Sequence, residues 1–227
     1  MEIEFEFLLA DPPDELSVTG YKQGDVLKEG SIRRIKCTAL SGNPLPKLEW
    51  FAGNKKVEGA KIEAAKSGTF VSSEISIKVD RSDNLKTYHC TARNKATTKP
   101  VIRSVELTVS FPPTSVEIEV EPESPRVGTK AVLQCRTDSS SPGVSISWYR
   151  NNNIIPGAEA TRTEGEFGGV VTTSWISTKV TEEHINSVYR CQVNHQETSN
   201  SISNKTRIGV QCEYAFTKKY IYLKKDL

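Results

Sequence analysis

Apolar and polar residues alternate at period two in short runs that Gly, Pro, Asn and Asp interrupt, the pattern of strands with one face buried and one wet. Ile75, Ile77 and Val79 form one run, and Ile176, Thr178 and Val180 form a second. Val105, Leu107 and Val109 form a third, and Thr206, Ile208 and Val210 a fourth. No helical period of comparable length occurs along the 227 residues, so the pattern predicts an all-β protein of one large or two small domains.

The runs belong to a repeat. Trp50 follows Cys37 by 13 residues, and Trp148 follows Cys135 by the same 13. Each Trp precedes a cysteine with Tyr two places ahead of it, in Tyr88-His89-Cys90 and Tyr189-Arg190-Cys191. The offset is 98 for the first Cys and the Trp and 101 for the second Cys, which predicts two units of about a hundred residues in tandem.

With 36% hydrophobic and 26% charged residues, the chain sits far from the composition of disordered segments. A net charge of +2, from 30 basic and 28 acidic side chains, lacks the concentrated positive field that nucleic acid or an anionic membrane requires. No apolar stretch approaches the roughly 20 residues of a membrane-spanning helix, and the acidic start Met1-Glu2-Ile3-Glu4 differs from the basic head of a signal peptide. Any tie to a membrane is therefore expected to run through parts of a longer protein of which this chain is a piece.

Catalytic and cofactor chemistry find no support. His89 points away from the core between Tyr88 and Cys90, His195 falls in a loop after Cys191, and neither meets a nucleophile in a recognisable setting. Gly168-Gly169 precedes a strand rather than a helix, so it builds no phosphate site. Zinc binding by Cys37, Cys90, Cys135 and Cys191 would need close C-x₂₋₄-C pairs, which are absent. A disulfide reading needs only opposed strands and an oxidising compartment. No enzyme activity, metal or cofactor is expected.

Cys, then Trp in the next strand, then Tyr-x-Cys resembles the framework of the immunoglobulin sandwich, and the resemblance covers about Pro12 to Val210. It implies two tandem immunoglobulin-like antiparallel β-sandwiches, over 12–111 and 112–212. It also implies the bridges Cys37–Cys90 and Cys135–Cys191, each with its Trp packed on it, and a location outside the cell. Residues 1–11, with Phe5, Phe7 and Leu9 in strand parity, read as the last strand of a preceding domain or as an unpaired arm, and 213–227 as a loosely tied tail. Cys212 is left without a partner in this scheme.

Phe111-Pro112-Pro113 between the units, Gly42-Asn43-Pro44-Leu45-Pro46 before Trp50, and Ile146-Ser147-Trp148-Tyr149-Arg150 resemble the nephrin and irregular-chiasm group of adhesion receptors. That resemblance implies protein–protein contact with other immunoglobulin-type cell-surface proteins, homophilic or heterophilic. These two units would then serve as spacers or lateral contacts. The alternatives are a ligand-recognition role for one unit, a secreted soluble protein, or an intracellular structural module.

Parity from the Trp and Cys residues places Phe51, His89, Thr91 and Arg93 on the outer face of the first unit. It places Tyr149, Arg190, Gln192 and Asn194 on the matching face of the second unit, and the Trp175 indole outside on the opposite sheet. Phe51, Tyr149, Arg190, Gln192 and Trp175 are the candidate interface residues, since aromatic and Arg side chains anchor interfaces. The sequon Asn204-Lys205-Thr206 is expected in the turn before the last strand, as a glycan acceptor.

Overall fold

The computed structural model describes residues 10–65, 69–196 and 201–211. The strand expected at Phe5, Phe7 and Leu9, the unpaired Cys212 and the tail 213–227 lie outside those residues. The first unit contains β1 (Leu16–Thr19), β2 (Val26–Lys28), β3 (Ile32–Ala39), β4 (Lys47–Ala52), β5 (Lys55–Lys56), β6 (Lys61–Ala64), β7 (Val71–Lys78), β8 (Thr87–Arg93), β9 (Val101–Glu106) and β10 (Thr108–Ser110). The second contains β11 (Val116–Glu121), β12 (Lys130–Ser140), β13 (Ser145–Arg150), β14 (Asn153–Ile155), β15 (Glu159–Glu164), β16 (Val170–Lys179), β17 (Val188–Asn194) and β18 (Ile202–Arg207). Each unit is a sandwich of two antiparallel sheets, ordered β1-β3-β7-β6 against β5-β4-β8-β9, and β11-β12-β16-β15 against β14-β13-β17-β18.

Alternation decides what each sheet buries. Ile35, Cys37 and Ala39 of β3, Trp50 of β4, Ile75 and Ile77 of β7, and Tyr88 and Cys90 of β8 meet in the first core. Leu133 and Cys135 of β12, Trp148 of β13, Ile176 of β16, and Tyr189 and Cys191 of β17 meet in the second. The bridges Cys37–Cys90 and Cys135–Cys191 close loops of 53 and 56 residues, each worth roughly 4 kcal/mol in the chain-entropy account. Both buried indoles satisfy their N–H across the sandwich: Trp50 donates to the Ser73 carbonyl at 3.1 Å and Trp148 to the Ser174 hydroxyl at 3.2 Å.

The turn before the second cysteine is built in both units on a single 3-10 turn, Arg81–Asp83 and Glu182–His184. In the first, the Tyr88 hydroxyl donates to Asp83 at 3.0 Å. In the second, His184 takes the place of the acid and stacks on Tyr189 at 6.4 Å. Closing strands differ more than the sequence pattern predicts. In the first unit the run breaks at Leu107, and β10 pairs in parallel with β2. In the second the strand stops at Arg207, so Ile208 and Val210 lie beyond it, and an Arg126–Gln211 bridge continues the edge.

Burial, then the adjacent Asp83 carboxylate, pushes the Tyr88 phenol well above its ordinary range. Burial also raises Tyr189, with Arg150 pulling the other way. A phenol whose folded value is raised leaves stability intact below the ordinary value of about 10 and removes it as the pH rises beyond that point. Ultraviolet titration is thus expected to show tyrosines that ionise only as the fold is lost. Tyr88→Phe should cost about 1 kcal/mol, read from the urea midpoint.

Candidate functional site

With Trp50 and Cys90 facing inward, Phe51 and His89 share the outer side of β4 and β8, directly opposite each other in register. Their rings stack at 5.1 Å with an interplanar angle of 10°. The pair lies in a groove of about 740 Å³ whose walls include Leu45, Thr91, Arg93 and Pro100. At its side, hydrogen bonds from Lys47 and Lys56 hold the Glu49 carboxyl below the usual range.

The second unit repeats this arrangement with different chemistry. Tyr149 of β13 stands opposite Arg190 of β17, whose guanidinium lies over the phenol ring at 4.3 Å. Ile154 of β14 pairs with Tyr149, and Lys205 of β18 pairs with Arg190, so Ile154, Tyr149, Arg190 and Lys205 form one row across all four strands. The Arg190 Nε is buried without a hydrogen-bond partner. Gln192 lies on the same face, beside Asn194 at 3.5 Å.

Trp175 lies on the opposite sheet, where its indole N–H donates to Glu159 at 3.0 Å. Glu119, Gln134, Trp175 and Glu159 form a second cross-strand row. Asn204 is not in a turn: it sits within β18 opposite Cys191, and its side-chain amide donates to the Val116 carbonyl of β11 at 2.9 Å. The expectation of a turn fails because β18 begins at Ile202, earlier than the apolar run that marked it in the sequence. Asn204 is exposed at the edge between the two sheets rather than on either face.

The histidines have structural duties. The His184 ring nitrogens lie 3.0 Å from the Thr181 N–H and 3.2 Å from Arg150, and His195 lies 3.1 Å from the Ser141 carbonyl. Among the described residues, no group of three or more His, Cys, Asp or Glu side chains could hold a metal ion.

Residues 17–109 match the immunoglobulin I-set domain family, and residues 113–202 match the CD80-like C2-set immunoglobulin domain family. The chain belongs to the immunoglobulin superfamily. It is similar to human nephrin, at 26% identity over 88% of this chain and 16% of that protein, and to human cell adhesion molecule 3, at 27% identity over 63% of this chain and 37% of that protein. The chain therefore spans about one-sixth of the length of the nephrin it matches. Among solved structures, mouse nectin-like molecule 4 (full ectodomain, Ig1–Ig3) covers 88% of this chain at 20% identity with a TM-score of 0.63, and Rst D1-D2 covers 87% at 17% identity with a TM-score of 0.60. These two share the fold. Nephrin and the cell adhesion molecules that the chain matches are non-enzymatic proteins.

Between the two immunoglobulin domains the chain is held at every step. Phe111 is fully buried, and its backbone exchanges two hydrogen bonds with Ser141, at 2.8 and 2.9 Å. Arg81 lies 5.2 Å over the Phe111 ring, forks onto Glu29 at 2.7 and 2.9 Å, and donates to the Pro112 carbonyl at 3.3 Å. Asn84 bridges the domains, accepting from Val109 N–H and donating to the Phe167 carbonyl, both at 2.8 Å. Asp138 accepts the backbone N–H groups of Thr114 and Ser115 at 2.8 and 3.0 Å. Gly169 permits the close approach, since a side chain there would meet Phe111 at 2.8 Å. Arg81 and Asn84 carried no signal in the sequence beyond preceding Tyr-x-Cys, because their partners are more than 20 residues away.

The Phe51–His89 stack should move the His89 ring protons upfield in the NMR spectrum. Phe51→Leu is expected to abolish that shift while costing no more than about 1.5 kcal/mol of stability; an unchanged His89 spectrum would show that the rings do not stack in solution.

Proposed function

We propose that this segment is extracellular and belongs to a cell-surface adhesion receptor, with domains over 12–111 and 112–212 acting as a stiff strut that sets reach and offers lateral contacts. The observation that carries this reading is the junction. A linker whose aromatic is buried, whose carbonyl is bound by Arg81 and whose following residues are tied to Asp138 has little freedom to swing. Two prolines at 112 and 113 remove two further N–H groups and fix their φ angles. Two bridged cysteine pairs suit an oxidising, extracellular setting, and the similarity to nephrin and cell adhesion molecules supports immunoglobulin-type surface proteins as partners. Asn204, exposed on β18, is the glycan acceptor in this reading.

A recognition role for the second domain is the alternative reading, favoured by the exposed face that carries Tyr149, Arg190 and Gln192. The strut reading is tested by small-angle scattering. The wild-type chain should fit one inter-domain angle, and Arg81→Ala/Asn84→Ala, which removes the contacts to Phe111, Val109 and Phe167, should require a broad distribution while near-ultraviolet circular dichroism shows both domains still folded. A wild-type profile that already requires such a distribution rules out the strut.

A further inference from the structure

We propose that the second domain stacks face to back on further copies of this chain. The sheet of β13, β14, β17 and β18 of one copy would lie on the sheet of β11, β12, β15 and β16 of the next. The proposal names the lateral partner of the strut described above and rests on that reading.

The two faces are complementary over three of their four strands. β12 and β17 are joined by Cys135–Cys191, and both run toward the same end of the sandwich, because His195 just past β17 lies 3.1 Å from the Ser141 carbonyl just past β12. Gln134 and Arg190 each immediately precede the bridging cysteine, so their rows lie back to back at one level. β18 sits behind β11, tied by Asn204 to Val116, and β13 sits behind β16, tied by Trp148 to Ser174. A copy displaced along the sheet normal therefore brings its own acidic row over the basic row of its neighbour. Lys205 then meets Glu119, Arg190 meets Gln134 and Tyr149 meets Trp175, while Ile154 comes over Glu159 at the margin. One step along the strands, Arg207 of β18 meets Glu121 of β11, since Arg207 pairs with Val188 and Glu121 with Val132.

Charge supports the match. Among the described residues, no salt bridge engages Arg190, Lys205 or Arg207 on one face, or Glu119, Glu121 or Glu159 on the other. Of the cations on the acidic sheet, Arg136 stands opposite Glu117, one outward pair along from Gln134, and Lys130 stands opposite Lys179 at the far end. Tyr149 against Trp175 supplies the aromatic centre that interface cores favour. Four strands spaced about 4.8 Å apart and about six residues long offer a face of only ~15 by 20 Å, smaller than the ~800 Å² per partner of a standard interface. The contact is accordingly weak in solution and suited to molecules already held side by side. Because different faces meet, the association does not close and extends as a row.

The test is sedimentation velocity of the 227-residue chain. The weight-average sedimentation coefficient should rise with concentration at low ionic strength and lose that rise in about 1 M salt, where screening acts within ~3 Å. Lys205→Glu/Arg207→Glu changes only exposed side chains, as does Glu119→Lys/Glu121→Lys. Each variant alone should sediment as a monomer with an unchanged near-ultraviolet circular dichroism spectrum, because its faces now repel one another. The equimolar mixture should regain association, since every face then meets its complement. A wild-type chain that stays monomeric at every concentration overturns the proposal, as does a mixture that sediments no faster than its components. Neither outcome bears on the inter-domain angle, which scattering reads on the monomer.

Discussion

Each domain depends on one buried constellation, a disulfide joining the two sheets with a tryptophan packed against it. Trp50 and Trp148 are each 1% exposed, and all four bridging cysteines are fully buried. Because strand side chains alternate strictly, placing one residue of a strand inside fixes the side of every other. The row of Ile154, Tyr149, Arg190 and Lys205 faces out because Trp148 and Cys191, one residue along on the same strands, face in. The outer surfaces of both domains are in this sense set by their cores.

The same constraint leaves the two domains chemically distinct where they are geometrically alike. Phe51 on His89 and Tyr149 on Arg190 occupy matching positions in the repeat, each a planar nitrogen group over an aromatic ring. In the first domain this pair lines a groove with Lys and Glu side chains on its rim. In the second it belongs to a row that runs from Ile154 to Lys205, backed by a row with Glu119 and Glu159 at its ends. The turn before the second cysteine shows parallel divergence. Asp83 bonds to Tyr88 and His184 stacks on Tyr189, so two different side chains steady the same tyrosine position.

Between the domains, stiffness comes from side chains rather than from the prolines alone. Arg81 and Asn84 both project from the turn that supports Tyr88, and they reach Phe111, Pro112 and Phe167. The second domain answers with Gly168 and Gly169, where only hydrogen lets Leu85 and Phe111 approach. A side chain at Gly168 would lie 2.5 Å from Leu85 and would also need a positive φ of 64°. The angle between the domains is therefore a property of a packed interface as well as of linker length.

The sequence by itself determined the all-β class, the tandem repeat and the inward and outward sides of the strands around each Trp and Cys, because period-two alternation and fixed spacing are local and survive without coordinates. It also marked Phe111 at the joint. Tertiary structure decided what depends on distant segments meeting. It carried β10 across to β2, ended β18 at Arg207 with Asn204 inside the strand, and aligned residues from four strands into rows. It also joined Arg81 to Glu29 across 52 positions and Asn84 to Phe167 across 83. Hydrogen bonds and stacks of that span leave no periodic trace in a chain, since each partner's identity is constrained only by where the fold happens to bring the other.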